Sequence, residues 1–263
     1  MIVVLGSTGQ VGRACIEILG NDGRGLSRAE ADMSRVGDVL ERLELLRPDA
    51  VVNASAYTAV DKAEEEEELA TDINGRAPGV LAAWCAARDI PLVHYSTDYV
   101  FDGKVERPWR ETDAVHPLNA YGRSKLAGEV SVAAAGGRFL IFRTSWVYDA
   151  TGRNFVKTMA RLGQEKDSLR VVDDQVGAPT YAPHLAALSL QAVRQAMASS
   201  RFRSGIYHLC HAGETSWFGF AQAIFEGLRS RGVALRVQRL ETISTREYGG
   251  PTIRPLNSRL DNE

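Results

Sequence analysis

The chain has 263 residues, enough for one large domain or for a large domain with a small lobe. Its 44% hydrophobic and 24% charged residues are ordinary for a globular protein, and a formal net charge of -2 gives no reason to expect nucleic acid or an anionic membrane as partner. No apolar run nears the roughly 20 residues that span a bilayer, no leader-like segment follows Met1, and Cys15, Cys85 and Cys210 are too few and scattered for a disulfide framework or a zinc site, so a cytoplasmic protein is expected.

Apolar periodicity predicts alternating strands and helices through the first two thirds. Ile2 to Leu5 reads as a strand and Gln10 to Leu19 as a helix; a strand near Arg24 to Ser27 and a helix over Val36 to Leu46 follow. Ala50 to Ala54, Leu92 to Tyr95 and Phe139 to Phe142 are further strands, with helical segments between them. Their near-continuous apolar runs suit strands covered on both faces. Such a series predicts an α/β fold, a doubly wound parallel sheet of Rossmann type with right-handed crossovers. Ligands then bind beyond the carboxyl ends of the strands. The acidic run Glu64 to Glu68 reads as the solvated first turn of a helix. After Val172 the rhythm changes: Asp173 to Thr180 reads as a loop, and helices near His184 to Ala198 and Trp217 to Ser230 flank a strand at Ile206 to Leu209. Ser216 is the expected N-cap of the later helix. Residues 1–172 are therefore expected to form a dinucleotide-binding domain and residues 173–263 a small α/β substrate lobe.

Gly6, Gly9 and Gly12, spaced G-x-x-G-x-x-G between a strand and a helix, let a tight turn bring backbone amides against a pyrophosphate. At the end of the second strand Arg28 suits a ribose 2′-phosphate better than an acid would, which leans towards NADPH, a plain surface arginine being the other reading; Asp32 and Met33 could touch the adenine. The small residues of Asn53-Ala54-Ser55-Ala56 leave room for a cofactor to cross the sheet, and tight packing explains them almost as well. Tyr121 and Lys125, four apart, share one helix face, so that an ammonium could lower the phenol's pKa and make it a proton donor. Thr97, ending an apolar run, could bind the same substrate oxygen. His94 and His208, inside apolar runs, read as core residues.

The motifs together resemble the dTDP-4-dehydrorhamnose reductase family of the extended short-chain dehydrogenase/reductase group. The matching stretches are G-S-T-G-Q-V-G at 6–12, V-V-N-A-S-A-Y-T-A-V-D-K-A-E at 51–64, H-Y-S-T-D-Y-V-F-D-G at 94–103, P-L-N-A-Y-G-R-S-K-L-A-G-E at 117–129, F-R-T-S-W-V-Y at 142–148, D-Q-V-G-A-P-T at 174–180 and R-P-L-N-S-R-L at 254–260. The resemblance implies reduction of the C4 ketone of dTDP-4-dehydro-L-rhamnose to dTDP-L-rhamnose, with Thr97, Tyr121 and Lys125 as the catalytic trio. Lys125 would also hold the nicotinamide ribose. Gly6, Thr8, Gly9, Gln10, Val11, Gly12 and Asn53 to Ala56 would hold the cofactor. Thr58, Val60, Asp98, Tyr99 and Trp146 would line the substrate side, with Gln175, Arg254 and Asn257 helping to fix the nucleotide-sugar. Some relatives dimerise around a magnesium ion held partly by a glutamate just after the glycine motif; Ala14 stands there, so no such metal site is expected, and the chain would be a monomer or a homodimer. The chain stops soon after R-P-L-N-S, where relatives continue for about a helix or two, so a short tail is expected. Two other readings stay open. One is a nucleotide-sugar 4-epimerase or 4,6-dehydratase, although the Asp-Glu pair of a dehydratase is absent because Tyr99 follows Asp98. The other is a non-catalytic dinucleotide-binding subunit similar to the β-subunit of methionine adenosyltransferase.

Overall fold

The structure, a computed structural model, describes residues 1–199 and 202–262; Ser200, Arg201 and the closing Glu263 lie outside the described residues. β1 (Ile2–Leu5) leads through the glycine turn into α1 (Gln10–Leu19), followed by β2 (Gly23–Leu26), α2 (Val36–Leu46) and β3 (Ala50–Asn53). Short helices α3 (Val60–Ala63) and α4 (Glu67–Thr71) run through a wider, π-helical turn at Asp72–Arg76 into α5 (Ala77–Ala86). Next come β4 (Leu92–Thr97), α6 (Ala120–Ala135), β5 (Phe139–Thr144), β6 (Val147–Tyr148), α7 (Phe155–Glu165) and β7 (Ser168–Val172). The remainder holds β8 (Val176–Gly177), β9 (Thr180–Tyr181), α8 (Ala182–Ala198), β10 (Gly205–His208), β11 (Thr215–Ser216), α9 (Trp217–Ser230), β12 (Arg239–Ile243) and α10 (Thr245–Tyr248).

Six strands pair in parallel in the order β2-β1-β3-β4-β5-β10. β1 and β3 are buried along their whole length, and alternate residues feed two cores. Val3, Leu5 and Val51 pack with Leu43 of α2, Leu81 of α5 and Val132 of α6; Ile2, Val4 and Val52 pack with Cys15 of α1 and Leu185 and Leu190 of α8. Each such side chain contributes roughly 1.5–3 kcal/mol by leaving water. The order reverses between β1 and β3, the place where open α/β sheets part their loops and leave a crevice.

Several expectations are adjusted by the fold. The helix and strand expected in the small lobe, α8 and β10, instead complete the large sheet, because the apolar face of α8 covers the sheet beside α1 and β10 pairs with β5. The segment 173–180 is not wholly a loop: Val176–Gly177 pairs with β11, and Thr180–Tyr181 pairs with β6. The acidic run is solvated as expected, with Glu67 and Glu68 in the first turn of α4, and it also makes contacts. Glu64 accepts from the Ala120 amide at 2.8 Å, Glu66 from the Tyr57 hydroxyl at 2.7 Å, and Glu67 from Arg123 at 2.7 and 2.9 Å, so three carboxylates brace the start of α6 and the loop after β3. Ser216 does cap α9, accepting from the Gly219 amide at 3.0 Å.

The small lobe packs α7 and α9 on the two-stranded β7–β12 sheet, around Met159, Val171, Ala221, Phe225 and Val237. The C-terminal segment returns to the large domain: Trp109 and Leu260 form a parallel bridge, and Leu260 joins Phe101 and Trp109 in a separate cluster. Among the described residues, no helix is long and apolar enough to cross a membrane.

Candidate active site

The turn after β1 is tight and has no room for side chains at Gly6 and Gly12. Gly6 sits at φ +71°, where a side chain would be strained, and a Cβ on Gly12 would lie 2.2 Å from the Gly6 carbonyl oxygen. The N-cap of α1, Gly9, offers no side-chain acceptor, so the first-turn amides remain free to meet a phosphate. At the strand-order reversal lies a cavity of about 200 Å³, lined by Gly6, Thr8, Gly9, Arg28, Asp32, Met33, Ala54, Ser55 and Ala56, together with Ala31, Tyr57 and Ile73. The last three escaped the sequence reading. A larger cavity of about 490 Å³ lies among Asp49, Pro91 and Arg138, beside the amino ends of the strands, opposite to where such sheets bind ligands.

The remaining cofactor candidates shape the crevice from behind. Gln10 accepts from the Asn154 amide at 2.9 Å, and Val11 packs into the core. Asn53 is buried; its Oδ1 accepts from the Ser55 amide at 3.1 Å and its Nδ2 donates to His94 Nδ1 at 3.2 Å. His94 is thereby a core histidine with a task, holding Asn53 and through it the 53–56 turn. Burial pushes its imidazole well below its ordinary pKa, helped by the Lys125 charge, so the ring is neutral. His208 is likewise buried, its ring on the Asp261 carbonyl at 2.8 Å. At the adenosine end Asp32 accepts from the amide and hydroxyl of Ser34 at 3.0 and 2.9 Å, and Arg28 meets it at 3.3 Å. The acid is satisfied within its own turn, while Arg28 stays exposed at the cavity rim.

Thr97 ends β4, and α6 presents Tyr121 and Lys125 on one face beside it. α6 is fixed at its start by Asn119, whose side chain accepts from the Gly122 amide at 2.8 Å, and midway by Gly128, where a Cβ would fall 2.2 Å from the Asn74 carbonyl oxygen. Asn74, a residue the sequence reading missed, sits in the π-helical turn. Its side chain exchanges hydrogen bonds with the Tyr57 backbone at 2.8 and 2.9 Å and donates to Ser124 at 3.0 Å, tying the loop after β3 to α6. A π-turn aims this side chain sideways, and periodicity does not mark it.

Lys125 is buried, and its ammonium donates to the Tyr95 carbonyl at 2.6 Å. Burial pulls its pKa down to about 8, against the attraction of Glu129. Glu129 itself accepts Arg143 at 2.8 and 2.7 Å and the Ser96 hydroxyl at 2.6 Å, in a buried ion pair under the site. The phenol of Tyr121 is not lowered by Lys125 as expected. Burial raises its pKa above the ordinary value and the Asp98 charge adds to this, while a hydrogen bond with Thr97 opposes them; the ammonium is turned to a carbonyl instead. Tyr99 packs edge-on against Tyr121 with centroids 5.6 Å apart. Asp98 does not face the cleft: it is 3% exposed and accepts from the Thr97 hydroxyl at 3.0 Å.

On the substrate side Trp146 adopts φ +49°, a strained conformation for a bulky residue and one often kept at binding sites. Its indole stacks on Trp217, centroids 3.6 Å apart and 12° from parallel, and lies where a Cβ on Gly177 would approach to 2.6 Å. Gln175 is buried behind this stack, accepting from Trp217 Nε1 at 3.0 Å and donating to Thr245 at 3.0 Å. Trp217 was also missed; the run W-F-G-F after the Ser216 cap was its only signal. Thr58 is exposed and Val60 opens α3 beyond the cavity, next to Asp61, which receives Arg254 Nη2 at 2.9 and 3.0 Å. Asn257 is spoken for: its amide donates to the Val105 and Arg107 carbonyls, both at 2.7 Å, and its oxygen accepts from Arg259. It anchors the C-terminal segment.

This arrangement has known counterparts. The family model described as the RmlD substrate binding domain matches residues 1–263. The chain is 48% identical to a dTDP-4-dehydrorhamnose reductase of Burkholderia thailandensis over 100% of its own length and 90% of that protein. It is 44% identical to the dTDP-4-dehydrorhamnose reductase of Escherichia coli K12, covering 100% and 89%. This chain belongs to the dTDP-4-dehydrorhamnose reductase family. Among solved structures, the reductase of Bacillus anthracis in complex with NADP superposes with a TM-score of 0.92 at 34% identity, covering 100% of this chain and 90% of that one. A UDP-glucose 4-epimerase from Brucella ovis, 17% identical with a TM-score of 0.76, shares the fold alone.

A dinucleotide fits the reductase framework seen here. The crevice between β1 and β3 is walled by glycine backbone on one side and by small residues of the Asn53 to Ala56 turn on the other. Open amides lie at the start of α1, and the exposed Arg28 lies at the rim.

Proposed function

We infer that this protein is a cytoplasmic reductase of the C4 ketone of dTDP-4-dehydro-L-rhamnose, yielding dTDP-L-rhamnose at the expense of NADPH. The observation that carries this reading is the juxtaposition, at the carboxyl edge of the dinucleotide crevice, of the Thr97 hydroxyl, the Tyr121 phenol and the buried Lys125. When bound, the nicotinamide supplies the hydride that reaches the sugar C4. The chain does the rest. Gly6, Gly9 and the α1 amides hold the pyrophosphate, Arg28 favours a 2′-phosphate, and Tyr121 gives its proton to the oxygen as negative charge develops there. A raised phenol pKa keeps Tyr121 protonated until that charge appears, which is the state a proton donor needs. Lys125, cationic near neutral pH in a dry site, draws charge towards the ribose side. Trp146 and Trp217 offer a flat apolar wall to the sugar. Tyr99, packed on Tyr121, stands where an eliminating enzyme would need a second carboxylate, so reduction is favoured over dehydration. The three cysteines stand unpaired and buried, which suits a reducing compartment.

The test is direct. Purified protein mixed with dTDP-4-dehydrorhamnose should consume NADPH one-for-one with formation of dTDP-rhamnose, and more slowly with NADH. Redox-neutral conversion of a nucleotide-sugar by protein purified with bound NAD would instead indicate an epimerase or dehydratase. Dinucleotide binding with no reduction would favour a regulatory subunit.

A further inference from the structure

We propose that Asn119 is a positioning residue: its side chain sets Tyr121, at the start of α6, against Arg254 on the C-terminal segment, so that a nucleoside diphosphate held by Arg254 presents its sugar to the phenol. The proposal rests on the reductase reading above.

Asn119 caps α6 and does more. It is 1% exposed, and its Oδ1 accepts from the Gly122 amide at 2.8 Å, which fixes the first turn of the helix. A cap needs only that acceptor, and serine or aspartate supplies it equally well. The amide of asparagine adds donors, and Nδ2 donates to the Ile253 carbonyl at 2.9 Å, 134 residues further along the chain. Among the described residues, 250–255 make no backbone–backbone hydrogen bond, and Gly249, at φ +64°, leads into them. The Asn119 amide is thus the one hydrogen-bonded anchor of that stretch of backbone among the described residues. The chain beyond it is pinned elsewhere, since the Val176 amide of β8 donates to the Leu256 carbonyl at 2.8 Å.

Arg254 follows the anchored carbonyl directly. Its Nη2 donates to both oxygens of Asp61 at 2.9 and 3.0 Å, while Nε and Nη1 meet no acceptor among the described residues. Free guanidinium donors of this kind suit the oxygens of a diphosphate. Asp61 lies in α3, and Glu64, the C-cap of α3, accepts from the Ala120 amide at 2.8 Å. Asn119, the Ile253–Arg254 segment, Asp61, α3 and Glu64 therefore close a ring that returns to the residue before Tyr121. The Tyr99 phenol, whose ring packs on Tyr121, feels the charges of Arg254 and Asp61. Breaking the ring at Asn119 leaves the cap a substitute can supply, and releases the segment that carries the arginine.

Asn119→Ser tests this, because serine keeps the cap but is too short to reach the Ile253 carbonyl. The probe is dTDP, titrated calorimetrically into NADPH-loaded protein. In the serine variant the dTDP Kd should rise at least roughly fivefold and KM for dTDP-4-dehydrorhamnose should rise with it, while NADPH Kd stays at the wild-type value. In an Arg254→Ala background the serine substitution should add no further loss of dTDP affinity, since Asn119 acts through the arginine. An unchanged dTDP Kd in Asn119→Ser overturns the proposal. So does an equal loss of NADPH affinity, or a full further loss on top of Arg254→Ala. Should the serine variant not fold, Asn119→Asp takes its place, keeping cap and size while turning an acceptor towards the carbonyl, and the same outcomes decide. A wild type that binds dTDP but oxidises no NADPH with the keto-sugar ends the reductase reading, and the dTDP titrations still decide the role of Asn119. A wild type that binds no dTDP overturns that role.

Discussion

At the scale of single residues, the chemistry depends on which polar atoms are already occupied. In the proposed reaction Tyr121 is the proton donor, so Tyr121→Phe should lower kcat by two orders of magnitude or more, on the order of 3 kcal/mol, with dinucleotide Kd nearly unchanged. A phenylalanine variant that keeps most of the wild-type rate would remove the assignment. Lys125 behaves differently because it is buried. Its pKa is about 8 in the folded protein and near 10.5 in the unfolded chain. Between those values the unfolded chain holds a proton that the folded one has lost, so stability rises with pH through that window. Below pH 8 the buried charge weighs against folding by up to about 3 kcal/mol. Lys125→Met should therefore be more stable than wild type at neutral pH, with the advantage shrinking towards pH 10, as read from urea midpoints. The same variant should lose both rate and cofactor affinity; an unaltered Kd would end its ribose role.

Elements place these residues. α6 brings Tyr121 and Lys125 to the cleft because it can lie against the Asn74 carbonyl at Gly128, and because Asn119 and Glu64 both cap its start. The glycine turn is the other fixed element. In Gly12→Ala the new methyl would meet the Gly6 carbonyl oxygen at 2.2 Å, a backbone atom that cannot yield cheaply. The variant should bind NADPH at least roughly tenfold more weakly, about 1.4 kcal/mol, measured by titration. Equal affinity would mean that the turn opens without loss and is not the phosphate cradle. Trp217 belongs to an element that no local pattern assigns to the site. Trp217→Ala should raise KM for the nucleotide-sugar several-fold with kcat little changed, and an unmoved KM would place the stack outside the sugar subsite.

The whole molecule is held together by segments that are far apart in sequence. The C-terminal strap crosses to Trp109, whose backbone accepts from Asp261 and donates to Arg259, and Leu260 fills the pocket between Phe101 and Cys210. Leu260→Ala should cost about 2–5 kcal/mol and loosen the strap that carries Arg254 and Ser258. Thermal unfolding should show the loss, and affinity for the sugar should fall more than affinity for the dinucleotide, whose crevice lies at the β1–β3 reversal. Equal losses for both ligands would show that the strap supports the entire domain and not the substrate side.

Much of this was legible from local sequence. Apolar runs mark β1, α1, α2 and β3 nearly to the residue, because burial on both faces of a parallel sheet leaves a one-dimensional trace. The glycine turn and Tyr121-x-x-x-Lys125 are equally local, since a tight turn and a shared helix face need only short spacings. The choice of partner is not local. That α8 and β10 rejoin the large sheet, that Asn257 spends its amide on the 105–107 loop, that Asn74 braces α6, and that Lys125 faces a carbonyl were all decided by the tertiary structure. Each depends on a contact between residues brought together only when the chain closes on itself. Spacing along a chain reports which face a side chain occupies, and only the folded protein determines what meets it there.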